Sequence, residues 1–439
     1  MDAKFSMINQ LKTVFRPEVS YSIAARLVQA IGGIGTMLLI SLYLSEIEQG
    51  YYYAIQSLAA SYVLFEMGLS NTLVNFFSNQ SSDSSQSNNK SHDTARKLFA
   101  GSLILYLVMS VVAVLALLIL GYMYLISEQR SDLVTVWVLI TASIGINLNL
   151  LPHTVFIEAK GGVISTNKMR LVQAVFSLAC LWAGLASGLG ILSLAIYFCA
   201  MSLSQLLFIL GRKSHITLIS KLAISIFDFK KLVKQIFSTQ LKVSLTWMFG
   251  YFTSAGLVPV IMKIHSPEIA GKFGMALQIT TLVLMVSYSL ISTRVPFWGA
   301  ALAASEVSDF KRDFRKRQYA AFILYFLGAV AVLSSIYILI YMKVGFTSRI
   351  LEPSLLGLLF LNGFFTLSVL CDAAYIRINK VEIHHYQSIL YSIVFYLSLF
   401  LALKAEFQSH VLILLACNII FGFGFSKFLK QIYIHRLTT

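Results

Sequence analysis

The chain has 439 residues, of which 57% are hydrophobic and only 12% charged, with a formal net charge of +15. Soluble domains carry roughly a quarter charged residues, so this balance excludes an ordinary soluble enzyme and describes a polytopic membrane protein. Basic loops held at a membrane surface account for the positive charge, and no nucleic-acid partner is expected.

Apolar runs of about 20 residues are each long enough to cross a hydrocarbon core of about 30 Å as a helix. They recur at 21–44, 51–77, 98–125, 133–157, 171–189, 191–210, 241–262, 269–297, 318–342, 353–377, 386–404 and 409–432, and predict an all-α chain of about twelve transmembrane helices. The first run is too long for a signal-peptide core and lacks a small-residue cleavage site, so it is expected to be retained. Short loops rich in Lys and Arg stay in the cytoplasm. The N-terminus, the loops after even-numbered spans and the C-terminus, taken with the span ends that adjoin them, hold 26 of the 34 Lys and Arg residues, which predicts both termini cytoplasmic.

In span 1, Ser22, Arg26, Gln29, Gly33 and Thr36 recur at steps of three or four, forming one polar and small stripe on a helix. Span 2, "GYYYAIQSLAASYVLFEMGLSN", places Tyr52, Ala59, Tyr62, Glu66 and Ser70 on one side. Ionisable groups inside spans cost at least about 2.5 kcal/mol each at the centre and face the protein interior or a wet cavity. Counted at helical rise from the outer surface, Arg26 and Glu66 lie at depths of about 27 and 22 Å. Two readings stay open: a structural ion pair between neighbouring helices, or a functional pair in a cavity.

Residues 78–91, "SNQSSDSSQSNNKS", are polar and of low complexity and predict a flexible cytoplasmic loop. The basic amphipathic connection at 211–240 divides an N-terminal lobe, 1–210, from a C-terminal lobe, 241–439, and could lie along the inner membrane surface. A weak repeat at an offset of 221 matches Gly50 to Gly271 and Glu66 to Ser287. Six spans return the chain to its starting side, so the repeats run parallel, and two six-helix lobes are expected about a pseudo-twofold axis along the membrane normal.

In span 8, Thr280, Ser287 and Arg294 are spaced by seven and share a face, although Arg294, just before Pro296, could also snorkel to water. Asp372 and Arg377 close span 10, where they either solvate the boundary or, for a buried Asp372, take up protons. Cys180, Cys199, Cys371 and Cys417 lie in apolar runs without paired spacing and read as core residues. His384 and His385 are adjacent, so their side chains diverge by about 100° on a helix and do not suit a shared metal. No phosphate loop of the GxxxxGK[ST] kind is present. No cofactor and no enzymatic activity are expected.

The stretch "YLSEIEQGYYYAIQSLAASYVLFEMGL" resembles the span 1–2 region of bacterial O-antigen and polysaccharide-unit flippases of the multidrug/oligosaccharidyl-lipid/polysaccharide exporter superfamily. "IEAKGGV", "STQLKVSLTWMFGYF", "VPVIMKIHSPEIAGKFGMAL" and "STRVPFWGA" are similar to that family at corresponding places. The resemblance implies a two-lobed, twelve-helix bacterial inner-membrane transporter that moves a polyprenyl-diphosphate-linked oligosaccharide outward by alternating access. Membrane lipids, a polysaccharide polymerase and a chain-length regulator are the partners it implies. Arg suits bidentate phosphate contacts, so Arg26 and Arg294, with Gln29, Tyr62 and Glu66, are candidate substrate residues, and Glu66 and Asp372 candidate coupling residues. The alternatives are a cation-coupled drug or small-solute exporter, with a more acidic cavity; a membrane-embedded polymerase or ligase, with a large charged outer loop; and a scaffold or receptor, for which polar stripes have no purpose.

Overall fold

In a computed structural model, the described residues are 17–66, 68–82, 88–125, 131–212, 244–295, 297–299, 307–378 and 383–438, and among them the chain is helical with no strand. Eight helices among these residues are long and apolar enough to cross a membrane. One of them, Asp132–Ala186, runs for 55 residues and carries two of the predicted spans. The three predicted spans outside these eight fall on α1 (Pro17–Tyr43), on a broken series α2 (Glu46–Ala60), α3 (Val63–Glu66) and α4 (Leu69–Ser82), and on α13 (His384–Leu401). The chain is thus a multi-pass membrane protein.

Helices often outrun the apolar segments that announce them. α5 (Asn88–Tyr124) and α11 (Val307–Tyr341) begin about ten residues before the predicted spans, because intrahelical bonds satisfy the backbone in water as well as in lipid. The polar stretch 78–91 is likewise helical up to Ser82 and again from Asn88; residues 83–87 lie outside the described residues, as does the connection 213–243. Between α6 (Ser131–Ile157) and α7 (Val163–Ala186), a π turn at Glu158–Gly162 breaks the helix, with Gly161 at φ 87°. Only glycine adopts that conformation without strain.

The chain divides into two compact units, Met1–Glu48 with Leu58–Leu241, and Gln49–Ser57 with Lys242–Thr439. The middle of α2, Gln49–Ser57, therefore belongs to the second unit.

In the first unit, small residues let large ones approach, as expected where lipid offers no hydrophobic drive between helices. Leu178 and Trp182 of α7 lie against Gly32 and Gly35 of α1. The indole N–H of Trp182 donates to Thr36 at 2.9 Å, and that of Trp137 on α6 donates to the Leu117 carbonyl of α5 at 2.9 Å. Phe77, Phe99 and Phe156 join α4, α5 and α6, with Phe99 and Phe156 stacked at 4.4 Å. On the opposite face of α5, Leu107, Val111, Leu115 and Ile119 are exposed, as a lipid-facing surface requires.

In the second unit, the span 244–264 is interrupted by a turn at 253–256 ahead of α9 (Leu257–Ile264). The backbone groups around this turn find side-chain partners. Ser57 donates to the Ala255 carbonyl, Ser392 to that of Phe249 at 2.9 Å and Tyr396 to that of Phe252 at 2.7 Å. α10 (Pro267–Ser292) starts at the N-cap Ser266, which accepts from the Ile269 N–H at 3.4 Å. The 221-residue offset matches Ser266 to Ser45, the N-cap of α2 and half of a capping box with Glu48. Gly50 and Gly271, matched by the same offset, meet backbone to backbone: a methyl on Gly271 would lie 2.9 Å from the Gly50 nitrogen.

Candidate functional site

Glu66 sits at a break. α2 ends at Ala60, a single turn forms α3, and Gly68 at φ 70° redirects the chain into α4. The first N–H groups of a helix lack intrahelical acceptors, and here the Glu66 carboxylate supplies them. Oε2 accepts from the Gly68 N–H and Oε1 from the Ser70 N–H, both at 2.8 Å. The Tyr106 hydroxyl donates to Oε1 at 3.3 Å, while the Glu66 N–H itself donates to the Tyr62 carbonyl at 3.1 Å. Glu66 and Tyr62 are thus brought together in the first unit, with Tyr197 near Tyr62. The continuous helix behind the depth count of span 2 is not formed, because α2 ends at Ala60 and residues 61 and 62 form a turn ahead of α3.

This geometry gives a first expected result. Glu66→Gln keeps one acceptor but turns an amide N–H₂ towards a backbone N–H, which should cost about 1–2 kcal/mol. Hydrogen–deuterium exchange should speed up at the start of α4; an unchanged rate would exclude the capping role.

The polar stripe of span 1 does not keep one environment. Gln29 is exposed, whereas Thr36 is buried against Trp182. Arg26 lies on α1, but its side chain, like that of Ser22, is outside the described residues.

In the second unit, α10 ends at Ser292, so Arg294 lies beyond it in a turn whose N–H donates to the Ile291 carbonyl at 2.9 Å. Thr280 and Ser287 are buried on the helix, and Arg294 is half-buried in the turn beyond it. Its guanidinium stands 5.3 Å from the centre of the Phe297 ring and makes no ion pair among the described residues.

Asp372, on α12 (Pro353–Ile378), is fully buried, at 0% exposure, and does not solvate the span boundary. The Lys430 ammonium donates to Oδ1 at 2.6 Å, and Lys427 lies 2.7 Å from Oδ2, off the hydrogen-bonding direction. Both lysines belong to α15 (Phe425–Thr438), one and two turns in, so they reach the same carboxylate. Aromatic faces cover them: Lys430 is 4.8 Å from the Tyr375 ring, and Lys427 5.3 Å from Phe423. One carboxylate between two ammonium groups leaves a net positive cluster.

His384 and His385 are both buried, and His384 contacts Ser426 at 3.2 Å. No group of three or more His, Cys, Asp or Glu suited to a metal occurs among the described residues.

No family model and no curated protein matches the chain. Solved structures do. An inward-facing multidrug resistance MATE family transporter of the MOP superfamily aligns at a TM-score of 0.60 and 15% identity, over 94% of each chain. The MATE multidrug transporter DinF-BH, solved in complex with a ligand, aligns at 0.61 and 16% identity, over 96% of each chain. This chain has the MATE-transporter fold. An outward-facing MATE transporter aligns at 0.55 and 15% identity, over 95% of this chain and 96% of that one. The MATE fold therefore extends over nearly the whole sequence, in keeping with the expected all-α, two-lobed architecture.

Proposed function

We propose that the chain is an alternating-access transporter that flips a polyprenyl-diphosphate-linked oligosaccharide to the outer leaflet of a bacterial inner membrane, delivering it to a polysaccharide polymerase and its chain-length regulator. The observation that carries this reading is the asymmetry of the intramembrane charges. Glu66 is consumed in capping α4 and Asp372 is held by two lysines, whereas Arg294 has no carboxylate partner among the described residues. Such a balance suits an anionic diphosphate better than a cationic solute, because an unpaired guanidinium offers two parallel donors to phosphate oxygens. Arg26 is the candidate counterpart in the first unit.

Export of cationic drugs is the second reading, favoured by the multidrug transporters among the solved structures of the same fold. One experiment separates the two. In a host lacking its own flippase, the chain should restore lipid-linked oligosaccharide to the outer leaflet. Arg294→Ala should lower that delivery roughly ten- to a hundredfold, the worth of a charged hydrogen bond, and Arg294→Lys should retain part of it. Efflux of a cationic dye without any outer-leaflet delivery would instead assign the drug-export reading.

A further inference from the structure

The N-terminal end of α11 carries a charge pattern outside the candidate substrate residues. Between Val307 and Tyr319 the sequence "VSDFKRDFRKRQY" holds five Lys and Arg residues against two Asp. Phe310 and Phe314 turn inward, against Trp298 and Tyr375, and fix this end of the helix to the second unit. Both aspartates are already engaged. Asp309 pairs with Arg312 at 3.1 Å; Asp313 pairs with Arg317 at 3.2 Å and accepts from the Trp298 indole N–H at 2.9 Å.

Lys311, Arg315 and Lys316 form no ion pair among the described residues, and with Arg312 and Tyr319 they line a surface hollow of about 390 Å³. An unneutralised cluster of this density attracts an anion strongly.

The same helix decides what kind of anion. At 100° per residue, Arg312, Lys316, Tyr319, Ile323, Phe326, Leu327 and Val330 fall on one face. Tyr319, Ile323, Phe326 and Leu327 are 57–63% exposed, while Ala321 and Tyr325 on the opposite face are buried. The cationic hollow thus continues, through an interfacial tyrosine, into a stripe of apolar side chains with no protein cover. A soluble phosphate would meet only the first part of this surface. A phospholipid meets both, its headgroup in the hollow and an acyl chain along the stripe.

We propose that the Lys311–Tyr319 face of α11 is a binding site for an anionic phospholipid, with the phosphodiester held by Arg312, Arg315 and Lys316. The proposal stands whichever substrate the chain carries. Basic residues near an anionic headgroup attract it additively, so three together should set a clear preference.

The test uses the full chain in neutral detergent, titrated with phosphatidylglycerol or phosphatidylcholine, with bound lipid counted by native mass spectrometry. The native chain should bind its first phosphatidylglycerol at least about tenfold more tightly than phosphatidylcholine. The triple variant Arg312→Gln, Arg315→Gln, Lys316→Gln should lose that preference, and Arg312→Lys with Arg315→Lys should keep most of it. Excess inorganic phosphate should displace little of the bound lipid, because it cannot use the apolar stripe. Equal binding of the two lipids, a preference that survives in the triple variant, or complete displacement by inorganic phosphate would each overturn the proposal.

Discussion

Replacing Asp372 with asparagine should lower the stability of the protein by about 3 kcal/mol, near the lower end of the cost of breaking a buried ion pair. The carboxylate is fully buried, and its loss leaves two ammonium groups facing each other across the space it occupied. Lys427 is 40% exposed and can turn towards water, which keeps the cost from reaching the upper end of that range. Lys430, at 19%, has less freedom, because Tyr375 and Phe314 flank it. The midpoint of thermal unfolding in detergent should fall by several degrees. Adding Lys430→Met should recover part of the loss, since the second charge leaves with the first and methionine fills the space against the rings. The pair of variants also tests Asp372 as a coupling group. If it couples transport to protons, the double variant regains stability but not pH-dependent transport. Full stability in Asp372→Asn alone would exclude the ion cluster as a structural element.

Neither lysine was legible as a partner of Asp372 in the sequence. They lie 55 and 58 residues away, and a count of basic residues places them in the C-terminal tail. What brings them together is the packing of α12 against α15, and hydropathy carries no information about which spans adjoin. Position along the spans does leave a trace, because Asp372 closes one span and the lysines close another at the same basic side. The spans themselves were readable for a simple reason: a bilayer demands about twenty apolar residues at a time, and that demand is local. Breaks within spans are less visible. In "FEMGLSN" the turn signal was present, a glycine followed by Ser and Asn and preceded by an acidic residue able to cap the next helix. Read as part of a continuous apolar helix, Glu66 becomes a charge in search of Arg26; read as a cap, it needs no other partner. The stripe on span 1 shows a second thing that spacing does not carry. Trp182, far along the chain, covers Thr36, while Gln29 is exposed.

Gly50→Ala should be among the most damaging single-methyl substitutions in the chain. A Cβ at Gly50 would run into the carbonyl of Pro267, at the first turn of α10, and this is backbone, which cannot swing aside as a side chain does. Inserting a methyl group into a well-packed core typically costs 1–3 kcal/mol, and a contact with rigid backbone belongs at or beyond the top of that range. The comparison that isolates this effect is a graded series. Gly271→Ala meets the Gly50 nitrogen at 2.9 Å and should be harmful to a lesser degree, whereas Gly250→Ala meets nothing within 4 Å and should be close to neutral. Small residues are where helices in a membrane gain close packing, so the loss should appear first in the yield of monodisperse protein and in its thermal midpoint. Transport should then fall in the same order, Gly50→Ala below Gly271→Ala below Gly250→Ala. A Gly50→Ala protein as stable as Gly250→Ala would mean that α2 and α10 do not pack through their glycines, and the match of Gly50 with Gly271 would then carry no structural weight.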